Sequence, residues 1–129
     1  MHEVSHRSVT TNGVRLHLAE CGEGPIALMV HGFPESWYSW RYQLPALAAA
    51  GYRAVACDVR GYGRSSKPTR VSDYRMLQKV GDVVGLVDAL GGEPITLIGH
   101  DWGAPIVWNS ALLRPVSYTH LTLPTILLV

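Results

Sequence analysis

Charge is scarce in this chain of 129 residues, at 16% of the total, and it is almost balanced, with 11 Lys and Arg against 10 Asp and Glu. A nearly neutral chain offers no electrostatic footprint for nucleic acid or an anionic membrane, so neither is expected as a partner. Cysteine is scarcer still. Cys21 and Cys57 alone can build neither a disulfide framework nor a thiolate metal site, and a reducing compartment is the plain expectation. No stretch of about 18 apolar residues is present to span a membrane. The opening Met1–Arg7 also lacks the apolar core of a signal peptide. What the chain does have is apolar material, 47% of its residues, ample for one packed domain. A soluble, cytoplasmic protein is expected.

Hydrophobic patterning gives the order of elements. Ser5 to Thr11 and Val14 to Glu20 read as two strands joined by Asn12-Gly13, a dipeptide suited to the positive φ angles of a two-residue hairpin. Val14, Leu16 and Leu18 alternate with Arg15 and His17, so one face is wet and the pair forms an antiparallel edge. From Ile26 to Val30 alternation stops, as in a strand buried on both faces, and the same character returns at Tyr52 to Cys57 and Ile95 to Ile98. Helical patterns separate these runs. Pro45 opens a short helix to Ala50, closed by Gly51; a longer one runs from an N-cap at Ser72 or Asp73 to Leu90, with Leu77, Val80, Val84, Val87 and Leu90 inward; a third covers Gly103 to Arg114. The resulting β-α-β-α-β order predicts an α/β fold with parallel strands and right-handed crossovers.

Val116 to Val129 differ from everything before them, with no charged residue and several Thr and Leu around Pro124. Val116-Ser117-Tyr118-Thr119-His120-Leu121-Thr122-Leu123-Pro124-Thr125 resembles the in-frame translation of a transposase adapter used in sequencing libraries. The expected organisation is therefore a native portion at 1–115 and a non-native tail at 116–129.

The strongest chemical signal is Gly99-His100-Asp101-Trp102-Gly103, between the last buried strand and the third helix. Strand, tight glycine-flanked turn and helix form a nucleophile elbow, which lifts the central side chain clear of the sheet. Here that residue is Asp101. A carboxylate is a poor acyl nucleophile but suits displacement at a saturated carbon, giving an alkyl ester that water must then cleave. An ordinary N-cap aspartate is the competing reading. Two features of the context favour the nucleophile: the carboxyl end of a central parallel strand is where open α/β sheets place their sites, and His31-Gly32-Phe33-Pro34 follows the first buried strand. A loop there can set the Phe33 N–H beside that of Trp102 as a two-donor oxyanion hole.

Three stretches together resemble the α/β-hydrolase-fold epoxide hydrolases over about residues 6–115: His31-Gly32-Phe33-Pro34-Glu35-Ser36-Trp37-Tyr38-Ser39-Trp40-Arg41, Asp58-Val59-Arg60-Gly61-Tyr62-Gly63-Arg64-Ser65, and Gly99-His100-Asp101-Trp102-Gly103-Ala104. The resemblance implies the N-terminal portion of such a core, truncated before the cap. It implies Asp101 as nucleophile on an epoxide carbon, the Phe33 and Trp102 amides as oxyanion hole, and a cis Phe33–Pro34 peptide. Epoxide and water are the implied partners, with no cofactor and no metal. His31, Gly32, Pro34, Gly99, His100 and Gly103 are read as structural parts of the motifs.

Several other features have plainer readings. Trp37, Tyr38, Trp40 and Tyr42 are expected in core or lid packing, Gly61-Tyr62-Gly63 as a tight loop, and Asp58 and Arg60 as a pair bracing it. His2-Glu3-Val4-Ser5-His6 fits the zinc-protease H-E-x-x-H pattern but runs into a hairpin instead of a supported helix. Two alternatives remain. Haloalkane dehalogenases of the same fold share the Asp101 stretch, though Phe33 cannot supply the side-chain halide donor that many of them carry. A non-catalytic binding fragment is the other, since no Asp or Glu follows Asp101 and the only later histidine is His120. The chain as written is expected to form a first ester without turning over, and to leave an aggregation-prone open edge beside its last strand.

Overall fold

The computed structural model describes residues 3–91 and 94–114, together with the backbone of a strand at 118–122. Among the described residues the strands are β1 (Ser5–Thr11), β2 (Val14–Cys21), β3 (Ile26–Val30), β4 (Arg53–Cys57), β5 (Ile95–Gly99) and β6 (Tyr118–Thr122). They form one sheet in the order β1-β2-β4-β3-β5-β6. The pairs β1–β2 and β2–β4 are antiparallel, and β4–β3, β3–β5 and β5–β6 are parallel. At the hairpin Asn12 and Gly13 take φ of 51° and 76°, the left-handed pair that the dipeptide predicts.

Among the described residues three helices cover the sheet: α1 (Gln43–Ala49), α2 (Met76–Ala89) and α3 (Gly103–Leu113). Successive side chains of the buried strands sort to opposite faces. Leu28, Val30, Val55 and Cys57 pack with Val83, Leu86 and Val87 of α2 and with Ile106 and Val107 of α3. Met29, Ala54 and Ala56 pack with Leu44 and Ala48 of α1 and with Trp40. The alanine-lined face accommodates a short helix, whereas the Leu- and Val-lined face supports two longer ones. Cys21 and Cys57 fall in different clusters, and both are free thiols. Burial pushes the Cys57 thiol up to about 12, so it stays protonated and unreactive.

Five expectations need correction. α1 begins at Gln43, two residues before Pro45, which still sits in the first turn where its missing N–H costs nothing; Gly51 closes the helix at φ 96°. α2 begins at Met76, not at Ser72 or Asp73, because Val71–Tyr74 forms a separate 3-10 turn. There Asp73 is taken up by Arg70 and its carbonyl accepts from Arg60 at 2.8 Å.

The inward face of α2 is also rotated from the expected one. Val80, Val83, Leu86, Val87 and Leu90 are buried, Val84 is half-buried, and Leu77 is 72% exposed. What turns the helix is Asp82, drawn into the interior by Arg60 through two 2.7 Å bonds and by Asn12 at 3.0 Å. The expected Asp58–Arg60 pair accordingly does not form. Finally, β5 is not an edge: Tyr118–Thr122 pairs along it, with Leu97 opposite Leu121 and Ile98 opposite Thr122. Residues 115–117 and 123–129, within or next to the expected tail, lie outside the described residues. So does His2, the first histidine of the zinc-protease pattern. His6, the second, sits on strand β1, where no helical turn can present it.

Candidate active site

β5 runs into a three-residue turn, His100-Asp101-Trp102, and α3 starts at once with Gly103. Asp101 takes φ 55°, a left-handed conformation that only a few per cent of non-glycine residues adopt. Its glycine neighbours serve another purpose. A Cβ on Gly103 would collide with the Val30 carbonyl oxygen and lie 2.6 Å from that of His31; one on Gly99 would lie 2.5 Å from Val107 Cγ2. Gly103 lets the elbow press onto β3 and Gly99 lets α3 press onto the end of β5, while the strained φ falls on Asp101 itself.

The loop after β3 meets the elbow from the other side. Gly32 packs against Asp101, where a Cβ would stand 2.6 Å from its Oδ2. The Phe33–Pro34 peptide is cis. The Phe33 N–H donates to Asp101 Oδ2 at 3.1 Å, and the Trp102 N–H also bonds the carboxylate. Those two bonds, Trp102 first and Phe33 second, hold the Asp101 carboxyl below the usual carboxylate value, so it is an anion at neutral pH. The two donors named from sequence thus converge on the one side chain named with them. Phe33 and Trp102 are 63% and 59% exposed, so the site is an open rim.

Both neighbouring histidines are occupied elsewhere. His31 is buried; its Nε2 accepts the Val59 N–H at 3.0 Å, which leaves Nδ1 carrying the proton that it donates to the Gly32 carbonyl at 2.8 Å. Burial holds this imidazole below its ordinary value, against the bond to Gly32, so it remains neutral and ties the β3 loop to the β4 loop. His100 Nδ1 donates to Glu35 Oε1 at 3.1 Å.

Glu35, which carries no role of its own in the motif reading, bridges the two loops. It also accepts from the Gly32 N–H at 3.1 Å and from Ser39 Oγ at 3.0 Å. Burial pushes its carboxyl up, but the His100, Ser39 and Gly32 bonds outweigh that and leave it low. Only the spacing of Glu35 three residues beyond Gly32 could have pointed to this bond.

Beside the carboxylate opens a depression of about 260 Å³ lined by His31, Phe33, Val59, Tyr62, Lys79, Trp102 and Ile106, with Gly32 at its base. Tyr62, read from sequence as loop, therefore faces the site. Its ring stands edge-on to His31 and Phe33, and burial together with the Asp101 charge raises its phenol. Of the aromatic run, Trp40 is buried, Trp37 packs at the edge of the α1 cluster, and Tyr38 and Tyr42 are exposed with Arg41 over both rings. None of them lines the depression. Among the described residues no cluster of metal-ligating side chains occurs, and no helix is long and apolar enough to cross a membrane.

Known proteins resemble this chain in sequence and in fold. Epoxide hydrolase 3 of Siraitia grosvenorii is 50% identical over 115 residues, which are 89% of this chain and 36% of the relative. Epoxide hydrolase B of Mycobacterium tuberculosis is 53% identical over 114 residues, 85% of this chain and 32% of its own length. Among solved structures, an epoxide hydrolase from Vigna radiata superposes with a TM-score of 0.91 at 50% identity, covering 92% of this chain and 39% of that one. One from an endophytic Streptomyces gives 0.88 at 64% identity, covering 92% and 36%. The chain spans about a third of the length of the curated relatives it matches. The sequence model for the alpha/beta hydrolase fold matches residues 25–123, from the start of β3 through the elbow and beyond α3. A match over that much of the chain, on the strands and loops that present Asp101, makes it a member of the alpha/beta hydrolase fold family.

Proposed function

We propose that this chain carries the nucleophilic half of an epoxide hydrolase site. The observation that supports it best is the Asp101 carboxylate, anionic on a left-handed elbow, with the Phe33 and Trp102 N–H groups converging on it. One carboxylate oxygen attacks an epoxide carbon, the ring C–O bond breaks, and the released alkoxide takes a proton from an acid. Oδ2, which already accepts from Phe33, becomes the ester carbonyl oxygen. Water adding at the ester carbon makes an oxyanion where the two N–H donors already stand, and collapse returns the carboxylate and a vicinal diol. The base comes from outside the described residues, since His31 and His100 are committed to Gly32, Val59 and Glu35, and the resemblance to epoxide hydrolases implies the same of the acid. A cytoplasmic location fits this reading, as does a native portion ending at Pro115; the genomic DNA after the Pro115 codon tests the second point.

Incubation of the 129-residue protein with styrene oxide, followed by intact mass measurement and peptide mapping, is the decisive experiment. One epoxide adduct on the peptide containing Asp101, absent in Asp101→Asn, is expected. Equal labelling of the variant would overturn the proposal. Multiple turnovers by the same protein would show that it holds a complete relay. Labelling by a chloroalkane in preference to the epoxide would favour dehalogenation.

A further inference from the structure

Away from Asp101, on the far side of the β3 loop, three titratable groups form a hydrogen-bonded row from the surface to the core. His6 Nδ1 lies 2.9 Å from His17 Nε2, and His17 Nδ1 lies 2.8 Å from Asp58 Oδ2. Asp58 is completely buried, His17 is 3% exposed, and His6 on β1 reaches solvent. The two imidazoles are 10° from parallel with centroids 5.1 Å apart. Given the short N···N distance, that is an in-plane N–H···N bond and not a stack of ring faces.

The proton count of this row is constrained. Asp58 already accepts the Trp37 N–H at 2.7 Å on Oδ1 and the Arg64 N–H at 2.9 Å on Oδ2, so it is an acceptor, and His17 Nδ1 carries a proton towards it. Only one proton fits between His17 Nε2 and His6 Nδ1. With two or three ring protons on the pair the bond survives, because one facing nitrogen is a donor and the other a lone pair. A fourth puts N–H against N–H between two cations. The groups facing His6 are His17 on β2, Asp58 after β4 and Arg64 in the loop beyond, with the Trp37 ring in a T-shaped contact at 4.9 Å between centroids. Burial, His17 and Arg64 lower the His6 imidazole, and Asp58 only partly offsets them.

We propose that the His6–His17–Asp58 row is an acid-sensitive latch on the edge strand: it keeps one added proton, rejects the second, and on taking it releases the Ser5–Arg7 end of β1 from β2. The opposite end of the strand is anchored independently, by Asn12 bonding Gln78 and Asp82 of α2. Release therefore frays one end of β1 and leaves the sheet intact. At the frayed end the other clasp is the Arg7–Glu20 pair, and Glu20 stays ionised in the relevant range because its bonds to Arg7 and Arg53 outweigh the effect of burial.

The sign follows from proton binding. The released strand binds one proton more than the docked one, so docking weakens as pH falls below the ordinary histidine value of 6.5, by at most about tenfold per pH unit. Amide hydrogen exchange of the 129-residue protein between pH 7.5 and 5, corrected for intrinsic rates, reads this directly. Protection at the N-terminal end of β1 should fall roughly tenfold per unit below about pH 6 while that of β4 holds. His6→Gln, which keeps a bond to His17 but cannot titrate, should flatten the dependence to within about twofold. Equal loss of protection in β1 and β4, or the same loss in His6→Gln, would overturn the latch. NMR titration of the His6 imidazole nitrogens gives a check free of any variant: this ring should titrate below its ordinary value of 6.5. An ordinary His6 titration at that value would overturn the latch equally.

Discussion

Asp58 and Asp101 end or follow the two strands that flank β3, and the chain uses them in opposite ways. Asp58 is sealed, with Trp37 N–H on one oxygen and His17 and Arg64 N–H on the other. Asp101 is met by two backbone donors and otherwise opens onto the rim. Both are anions stabilised by N–H groups. What separates them is unspent acceptor capacity facing a space that a small molecule can enter. A carboxylate at the end of a parallel strand is therefore not a nucleophile by position alone. The sharpest way to break the comparison is to remove each charge in turn. Asp101→Asn should abolish epoxide labelling outright and leave the melting curve where it is, since asparagine tolerates a left-handed φ. Asp58→Asn should do the reverse: an amide cannot accept all three donors, so the variant should lose about 3 kcal/mol or more by urea unfolding. Labelling per folded molecule should persist. Labelling lost in Asp58→Asn while the fold survives would erase the distinction.

Much of this pair was legible in the sequence, and for different reasons. Asp101 announces itself through contiguous residues: the buried run Ile95–Ile98, two glycines and a helix lie within one short stretch, so its placement needs only local rules. Asp58 depends on partners that no local pattern reveals. His17 lies 41 residues away in sequence, and Arg60, next but one along the chain, turns instead to Asp82. The inward face of α2 was misjudged for the same reason, because a buried ion pair overrode apolar periodicity. β6 lies in the stretch that the sequence reading sets apart as a non-native tail, and Tyr118–Thr122 acquires its register only against β5.

The glycines sharpen the comparison further: Gly103 at the elbow faces the Val30 and His31 carbonyl oxygens, whereas the crowded glycine at Asp58 is Gly63, where a Cβ would collide with the carboxylate itself. Gly103→Ala puts a methyl group into the Val30 and His31 carbonyl oxygens. Either α3 moves away from β3 or the turn reshapes. A loss of about 2 to 3 kcal/mol is expected, with labelling at Asp101 slowed even in the folded protein because the Trp102 N–H moves with the helix. A variant as stable and as reactive as the parent would mean that the elbow does not need its close seat on β3.

Acid should also tell the two surroundings apart. His31 is lowered by burial, so the unfolded chain binds its proton first as pH falls below 6.5. Its contribution to stability is complete above that value and declines towards its lower folded one, by no more than about 1.4 kcal/mol per pH unit. Urea unfolding of His6→Gln, in which the latch cannot contribute, should show this decline between pH 7 and pH 5. Asp101 is lowered too, but for a carboxylate that means it stays ionised across the same window. Labelling of the folded protein should therefore be flat where stability falls. A labelling rate that tracks a group titrating near 6 would tie Asp101 to a histidine and contradict the separation of His31 and His100 from it.

The smallest expected effect tests the support beneath Asp58. If Asp82 faces inward because Arg60 holds it, then Leu77 is stranded outside, and its side chain contributes little. Leu77→Lys should change stability by no more than about 0.5 kcal/mol. A much larger loss would restore the face of α2 that apolar spacing predicts and turn Asp82 away from Arg60. It would also free Arg60, two residues from Asp58, to pair with that carboxylate, and the sealed end of β4 would then be held by a charge and not by backbone and imidazole donors.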